Sequence, residues 1–472
     1  MTERFTKTKI ICTIGPATAT AEKMRPLVQA GMDIARLNFS HGTHEEHAAH
    51  IKAIRNVENE LGQTIPILAD LGGPKLRLGK LEEEFEVFPG DEITISTEEI
   101  LGNRSKVGTN YSNLSNDVNV GDIILIDDGY VTLEVKKKNN NEILCKILDG
   151  GMFRSRKGIN LPGITISAPT ITEKDMKDID FALSQGVDFF ALSFVRSHKD
   201  IIELRKLLSE KESVKPIIVK IEKPEAIDDI DAIIREANAV MIARGDLGVE
   251  MPTEEIPILQ KMIIEKCKVA STPVITATQM LESMVTNALP TRAEASDTAN
   301  AVFDGTDAVM LSAETSIGKH PVEAVSMMNK IITRAEKNCT INPELFSSSF
   351  RTDQFSIDLS KAACMIAQDI NASAIFAITK TGRTARHLSK YRVQNPIYAF
   401  TSNEDTLKFL TLIWGVKGLM LPKLKETDET LHQVKQRASE LELISENDIV
   451  VFVAGIPLQS SNEVNMIKLD KV

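Results

Sequence analysis

Short apolar, β-branched runs alternate along this chain with charged stretches of helical period. Eight runs stand out, starting at Lys9 (KIICTIG), Asp33 (DIARLNF), Ile65 (IPILADL), Asp188 (DFFALSF), Ile217 (IIVKIEK), Ala239 (AVMIARGD), Pro273 (PVITATQ) and Asp307 (DAVMLSAET). Near-continuous apolar runs suit parallel strands covered on both faces. Eight is the number that closes a parallel barrel. Between them, the segment from Asp200 to Leu208 is strongly periodic, and Thr253-Glu254-Glu255 places acid at the positive end of a helix. Pro290 to Glu294 reads as a helix start with proline near the first position. The expected fold is α/β, a (β/α)8 TIM barrel.

One interval breaks the alternation. From Leu71 to about Glu173 the chain shows β-type segments and Gly-Asp turns, such as FPGDEITIS and VNVGDIILIDDGYVTLEV. This predicts a small β-barrel domain inserted after strand 3, at the catalytic end of the barrel, where it can serve as a lid. After Asn338 the alternation restarts with AIFAITK, PIYAFTS, KGLMLPK and DIVVFVAG, which predicts a C-terminal open α/β domain. The expected division is 1–71 and 169–340 for the barrel, 72–168 for the insert and 341–472 for the last domain, with a polar linker from Asn342 to Ser349.

Length adds little to this picture: 472 residues suit about three domains. The net charge of -11 argues against a nucleic-acid partner, because phosphate backbones select basic surfaces. Five scattered cysteines without a CxxC pair fit a reducing compartment, and no apolar run approaches the ~20 residues of a membrane helix. The start of the chain has no signal-peptide pattern, so the expected location is the cytoplasm, with no membrane contact.

Chemistry enters at the strand ends. Lys220 and Glu222 are two residues apart and face the same side of their strand, away from Val219 and Ile221. One such pair could be only an ion pair. Arg36, Asn38, Ser40, Asp70, Lys75, Arg77, Arg244, Gly245, Asp246, Thr278, Ser312 and Glu314 stand at other strand ends and would converge on one mouth. Barrel layers are normally filled by Val, Ile and Leu, so a ring of charge is costly unless it binds something. Carboxylates Glu222 and Asp246 suit Mg2+ or Mn2+, and Arg36, Arg77 and Lys220 suit phosphoryl oxygens. That set points to phosphoryl transfer. There is no GxxxxGK[ST] loop, so the chain is not a P-loop NTPase.

These residues sit in TKIICTIGPAT, GMDIARLNFSHG, KGINLPG, KIEKPEA, MIARGDLGVEM, TPVITATQMLESM and PTRAEASDTANAVFDGTDAVMLSAET, through which the chain resembles pyruvate kinases over its length. The resemblance implies transfer from phosphoenolpyruvate to ADP, giving pyruvate and ATP. It implies Glu222 and Asp246 as metal ligands and Lys220 as the group stabilising the phosphoryl in flight. Arg36, Gly245, Asp246 and Thr278 would contact phosphoenolpyruvate, so Lys220, Arg36 and Thr278 form the catalytic set. Asn38, His41, Arg77 and Lys157 would lie on the nucleotide side. The proton donor to the enolate stays open, with Thr278 a candidate supported by Ser312 and Glu314. A homotetramer is also implied.

Two departures from the family pattern matter. Where relatives read LDTKGPEIR, this chain reads Ala69-Asp70-Leu71-Gly72-Gly73-Pro74-Lys75-Leu76-Arg77. The family's K+ site would comprise Asn38, Ser40, Asp70 and Leu71, but Lys75 replaces its glutamate. The expectation is that this ammonium stands in for K+. In the last domain, Thr379, Lys380, Thr381, Gly382, Arg383 and Thr384 resemble the family's sugar-phosphate effector loop, whereas Ala454 to Ser461 lacks its second, Gly-Ser-Gly type loop. The effector is therefore left open between a bisphosphate and a monophosphate. Two other readings compete: a Mg2+-dependent pyruvate-enolate aldolase or lyase, and a metabolite-sensing protein without catalysis.

Overall fold

The computed structural model describes residues 6–338, 354–422, 426–458 and 463–472. The expected linker, Asn342 to Ser349, and the expected 340/341 boundary lie outside the described residues, as do Gln459, Ser460 and Ser461. All eight apolar runs are strands of one closed parallel barrel: Lys9–Thr13, Ile34–Asn38, Ile67–Asp70, Phe189–Leu192, Ile217–Ile221, Ala239–Ala243, Val274–Ala277 and Ala308–Leu311. Each pairs with its sequence neighbour, and Lys9 meets Ala308 to close the ring. Pleat alternation separates two cores. Val219 and Ile221 pack outward in the same cluster as helix residues Ile263 and Leu204, while Ile218 faces inward with Met241 and Ile275.

Helix starts follow local chemistry. Thr291 caps the helix Arg292–Asp304 through a reciprocal box with Glu294, worth about 1 kcal/mol. Pro290 thus stands ahead of the cap and not in the first turn, because the threonine hydroxyl satisfies the free N–H groups better than proline can. Thr253–Glu255 forms a 3-10 turn that runs into the helix Ile256–Ala270.

Between the third and fourth barrel strands the chain builds a six-stranded sheet and a two-stranded ribbon around a separate core that includes Val107, Leu133 and Phe153. The C-terminal sheet is five-stranded. Four parallel strands match the four expected runs, and a fifth, Met466–Lys471, pairs antiparallel at its edge. This sheet seats against the barrel floor: Phe189 of the barrel meets Phe409 edge-on at 6.2 Å. Polar ties reinforce the contact, since buried Asp188 accepts from both Arg55 (2.7 Å) and Lys408 (2.8 Å). No described helix is long and apolar enough to cross a membrane.

Candidate active site at the barrel mouth

The C-terminal ends of strands two to five bring one charged cluster together. Arg36 is buried and holds Asp70 with Nε at 2.7 Å and a terminal nitrogen at 2.6 Å. Its other nitrogen donates to Thr13 Oγ1 at 2.8 Å. Lys220 Nζ lies 2.7 Å from Glu222 Oε1 and 3.4 Å from Asp70 Oδ1, and donates to Ser193 Oγ at 2.9 Å. Burial alone would lower the Lys220 ammonium, but Asp70, Glu222 and Asp246 together push it above its ordinary value. It therefore stays charged at every working pH. Burial likewise would raise Asp70, yet Lys220 and Arg36 hold it below the usual carboxylate range. The three charges fix one another in a site that water barely reaches.

Glu222 is 1% exposed. Burial raises its carboxyl, Lys220 opposes that, and Asp246 adds to the rise. Its second oxygen accepts the Phe194 N–H at 2.7 Å. Asp246 lies in the first turn of the short helix Arg244–Glu250 after the sixth strand and borders a small cavity with Pro74, Asn160 and Lys223. Two carboxylates that repel each other, one carrying no ion pair among the described residues, form a donor set short of a partner cation. No group of three or more His, Cys, Asp or Glu side chains could hold a metal among the described residues. Such a pair fits a hard divalent ion whose remaining ligands are water and substrate oxygens, the usual habit of Mg2+.

Beside them, Gly245 donates its N–H to Thr278 Oγ1 at 2.8 Å, and Thr278 donates to Ala277 O at 2.6 Å. Thr278 holds a φ of +67, a left-handed conformation costly for a β-branched residue. Such strain persists where surrounding structure enforces it, commonly at functional sites. Arg244 is the enforcer: it bonds the Thr278 and Gln279 carbonyls (2.9 and 3.3 Å) and pairs with Asp297 at 2.7 Å. Glu314 accepts the N–H groups of Leu281 (3.1 Å) and Ser312 (2.7 Å), while the buried Ser312 hydroxyl has no partner among the described residues.

Of the expected nucleotide residues, Arg77 lines a cleft of about 540 Å³ between barrel and insert, together with Ser40, Lys75, Asn110, Ser167 and Lys174 among others, whereas Asn38, His41 and Lys157 are not in its lining. Arg77 donates to Arg156 O at 3.0 Å, and Lys157 pairs with Asp127 at 2.9 Å. His41 is exposed. Partial burial and then the fields of Arg77, Lys75 and Arg36 depress its imidazole, which marks a cationic rim. Asn38 Oδ1 accepts the Ser40 N–H at 3.1 Å. The Lys75 side chain is exposed at this cleft. In the last domain, Thr379 Oγ1 accepts the Gly382 N–H at 3.0 Å, Thr384 is buried, and Thr381 is exposed.

Sequence reasoning missed Ser193 as a site residue. Its hydroxyl accepts from Lys220 and donates to Leu71 O at 2.7 Å. A serine just past an apolar strand carries no charge signal that would have revealed it. Glu250 was also missed: it accepts from Lys223 (2.7 Å) and from Asn160 of the insert (3.0 Å), tying lid to barrel.

A pyruvate kinase barrel-domain model matches residues 5–325, and a pyruvate kinase alpha/beta-domain model matches 358–469. A pyruvate kinase from Geobacillus stearothermophilus is 44% identical over 469 residues, covering 98% of this chain and 80% of that one. One from Corynebacterium efficiens is 43% identical, covering 98% and 97%. The crystal structure of a pyruvate kinase from Cryptosporidium parvum superposes with a TM-score of 0.92 at 38% identity, covering 99% of this chain and 96% of that one. The aldolase or lyase reading finds no support among these relatives. The chain belongs to the pyruvate kinase family, and it is a phosphotransferase that makes pyruvate and ATP from phosphoenolpyruvate and ADP.

Proposed function

We propose that the cluster of Lys220, Arg36, Glu222 and Asp246 performs the transfer, with Gly245 and Thr278 holding the enolpyruvate end. The observation that carries this reading is the Lys220 ammonium, kept protonated between Asp70 and Glu222. Lys220 and Arg36 would grip the phosphoryl oxygens as the bond to the enol oxygen breaks and the bond to the ADP oxygen forms. Charge spreads over those oxygens in the transition state, so fixed cations stabilise it more than the ground state. Glu222 and Asp246 would hold Mg2+ or Mn2+, which supplies Lewis-acid neutralisation of substrate oxygens. The Gly245 N–H, with Thr278, would turn to the substrate carboxylate. Thr278 would also be a candidate in the proton relay to the enolate, supported by Ser312 and Glu314. Asn38, His41, Arg77 and Lys157 would position ADP, and Lys157 reaches it only with the insert closed.

K+ independence is part of this proposal. Three of the four residues of the expected cation site already have donors: Asp70 has Arg36 and Lys220, Asn38 Oδ1 has the Ser40 N–H, and Leu71 O has Ser193. Lys75 adds a positive charge to the rim beside them. The Thr379 to Thr384 loop would take a phosphorylated effector, and the assembly would be a homotetramer in the cytoplasm, a place the free buried thiols Cys12, Cys145, Cys267 and Cys364 suit. The test is pyruvate formation from phosphoenolpyruvate and ADP with Mg2+, in buffer free of K+, Na+ and NH4+. Full velocity supports the proposal; velocity at background until K+ is added removes the K+ part of it.

A further inference from the structure

Two crossings join the insert to the barrel, and one short segment, Ser193 to Arg196, touches both. The second crossing passes from insert to barrel between Ile166, whose side chain packs in the insert's core, and Ile171, which packs in the barrel's. Arg196, just past the fourth barrel strand, grips the chain at that change-over. One terminal nitrogen of its guanidinium donates to Ile166 O, and the other donates to Ala168 O at 3.0 Å and to Thr170 Oγ1 at 3.1 Å. Bonds from a charged donor are stronger than neutral ones. Ile166 and Thr170 are both buried, so water competes little for this grip.

The first crossing meets the same segment two residues earlier. A Cβ at Gly73 would come within 2.7 Å of the Phe194 ring and 3.3 Å of Ser193 Cβ. Gly73 also holds a φ of +62, and Asp175 accepts its N–H at 3.1 Å. Close approach and a left-handed backbone together require glycine there.

The segment also reaches the catalytic cluster. Ser193 Oγ accepts from Lys220 at 2.9 Å, and the Phe194 N–H donates to Glu222 at 2.7 Å. Phe194 has a φ of +55, which is costly for a bulky residue and persists only where the surroundings enforce it. At the far end, Asp200 accepts the N–H groups of Arg196 (2.8 Å) and Ser197 (3.1 Å), pinning the segment to the helix His198–Glu210. Close-packed pieces held at both ends transmit displacement instead of absorbing it.

We propose that Arg196 is a positioning residue for the transfer, locking the pivot of the insert to the segment that aims Lys220 and Glu222, so that lid angle and catalytic geometry are set together. It acts through Ser193 and Phe194, and the inference rests on the role given to Lys220 above. Without the grip, the insert and the catalytic pair drift independently. A misplacement of about 1 Å at reacting groups can cost about 100-fold in rate.

The full-length enzyme is compared with Arg196→Met, which keeps the side-chain stem and removes every donor, and with Thr170→Val, which removes one acceptor at nearly constant volume. Kinetics give kcat and the KM for ADP, hydrogen exchange by mass spectrometry follows the amides of both crossings, and thermal melts report stability. Arg196→Met should lower kcat about tenfold or more, raise the KM for ADP and speed exchange in both crossings. Thr170→Val should move the same quantities in the same direction by a smaller factor, which keeps the test open if Arg196→Met folds poorly. Arg196→Lys, which keeps the charge, should recover part of the loss. In a double-mutant cycle, Ser193→Ala should cost less kcat once Arg196 is methionine, because the segment has already lost its place. A lowered Tm with kcat and KM within about twofold of wild type, or additive losses in the cycle, would overturn the proposal. Lys220→Met tells the two failures apart. If it stays active, the reading of the site fails and the clamp with it; if it is inactive while Arg196→Met and Thr170→Val turn over normally, only the clamp fails.

Discussion

Replacing Lys220 by methionine keeps most of the side-chain volume and removes one charge. In the structure that charge sits 2.7 Å from Glu222 and 3.4 Å from Asp70, with 11% of the side chain exposed. A phosphoryl oxygen held by the same ammonium at about 4 Å would gain roughly 4 kcal/mol at an effective dielectric of about 20. If most of that gain arises only in the transition state, kcat falls about 10³-fold. The carboxylates respond in a second way. Glu222 loses the cation that opposes its rise, so a divalent ion becomes its only remaining counter-charge. Metal affinity should therefore be retained or increased in Lys220→Met. The assays are steady-state kinetics with lactate dehydrogenase coupling and Mn2+ titration by electron spin resonance. A variant whose kcat stays within tenfold of wild type would refute the role given to Lys220. So would a variant that has lost Mn2+ as well, because activity would then fall for want of metal.

The eight barrel strands were legible because buried parallel strands write themselves as apolar runs with no polar face to blur them. The two-residue spacing of Lys220 and Glu222 gave their common direction, since strand pleat has a period of two. The edge strand Met466–Lys471 was not legible: its residues are largely solvent-facing, and MIKLDK has no continuous apolar run. Ser193 and Glu250 escaped for another reason. Their roles come from contacts across strands, Lys220 to Ser193 and Asn160 to Glu250, which linear order cannot display. The commitment of Asp70 to Arg36 and Lys220 was likewise invisible until both strands were in register.

Further outcomes follow from named contacts. Lys75→Glu should make activity rise with added K+, where the wild type is indifferent; a K+-saturation curve on both proteins checks this. Asn160→Leu removes the lid's bond to the buried Glu250, and a bond to a charged group is worth about 1.5–3 kcal/mol. The KM for ADP should rise about tenfold or more with kcat less affected, whereas a merely structural asparagine would leave that ratio unmoved. Asp33 is raised to about 6, chiefly by burial, against Lys9. An acid whose folded value is raised contributes stability fully present below about 3.8 and lost as pH rises through about 6. Asp33→Asn should flatten the dependence of Tm on pH between 4 and 6, as thermal melts across that window would read.

The most direct measurement is a crystal structure with Mn2+ and a non-transferable phosphoenolpyruvate analogue, with the metal located by its anomalous signal. The account predicts one Mn2+ between Glu222 and Asp246, and the analogue's phosphoryl group against Lys220 and Arg36. Mn2+ bound elsewhere, or a phosphoryl group held away from Lys220, would contradict it.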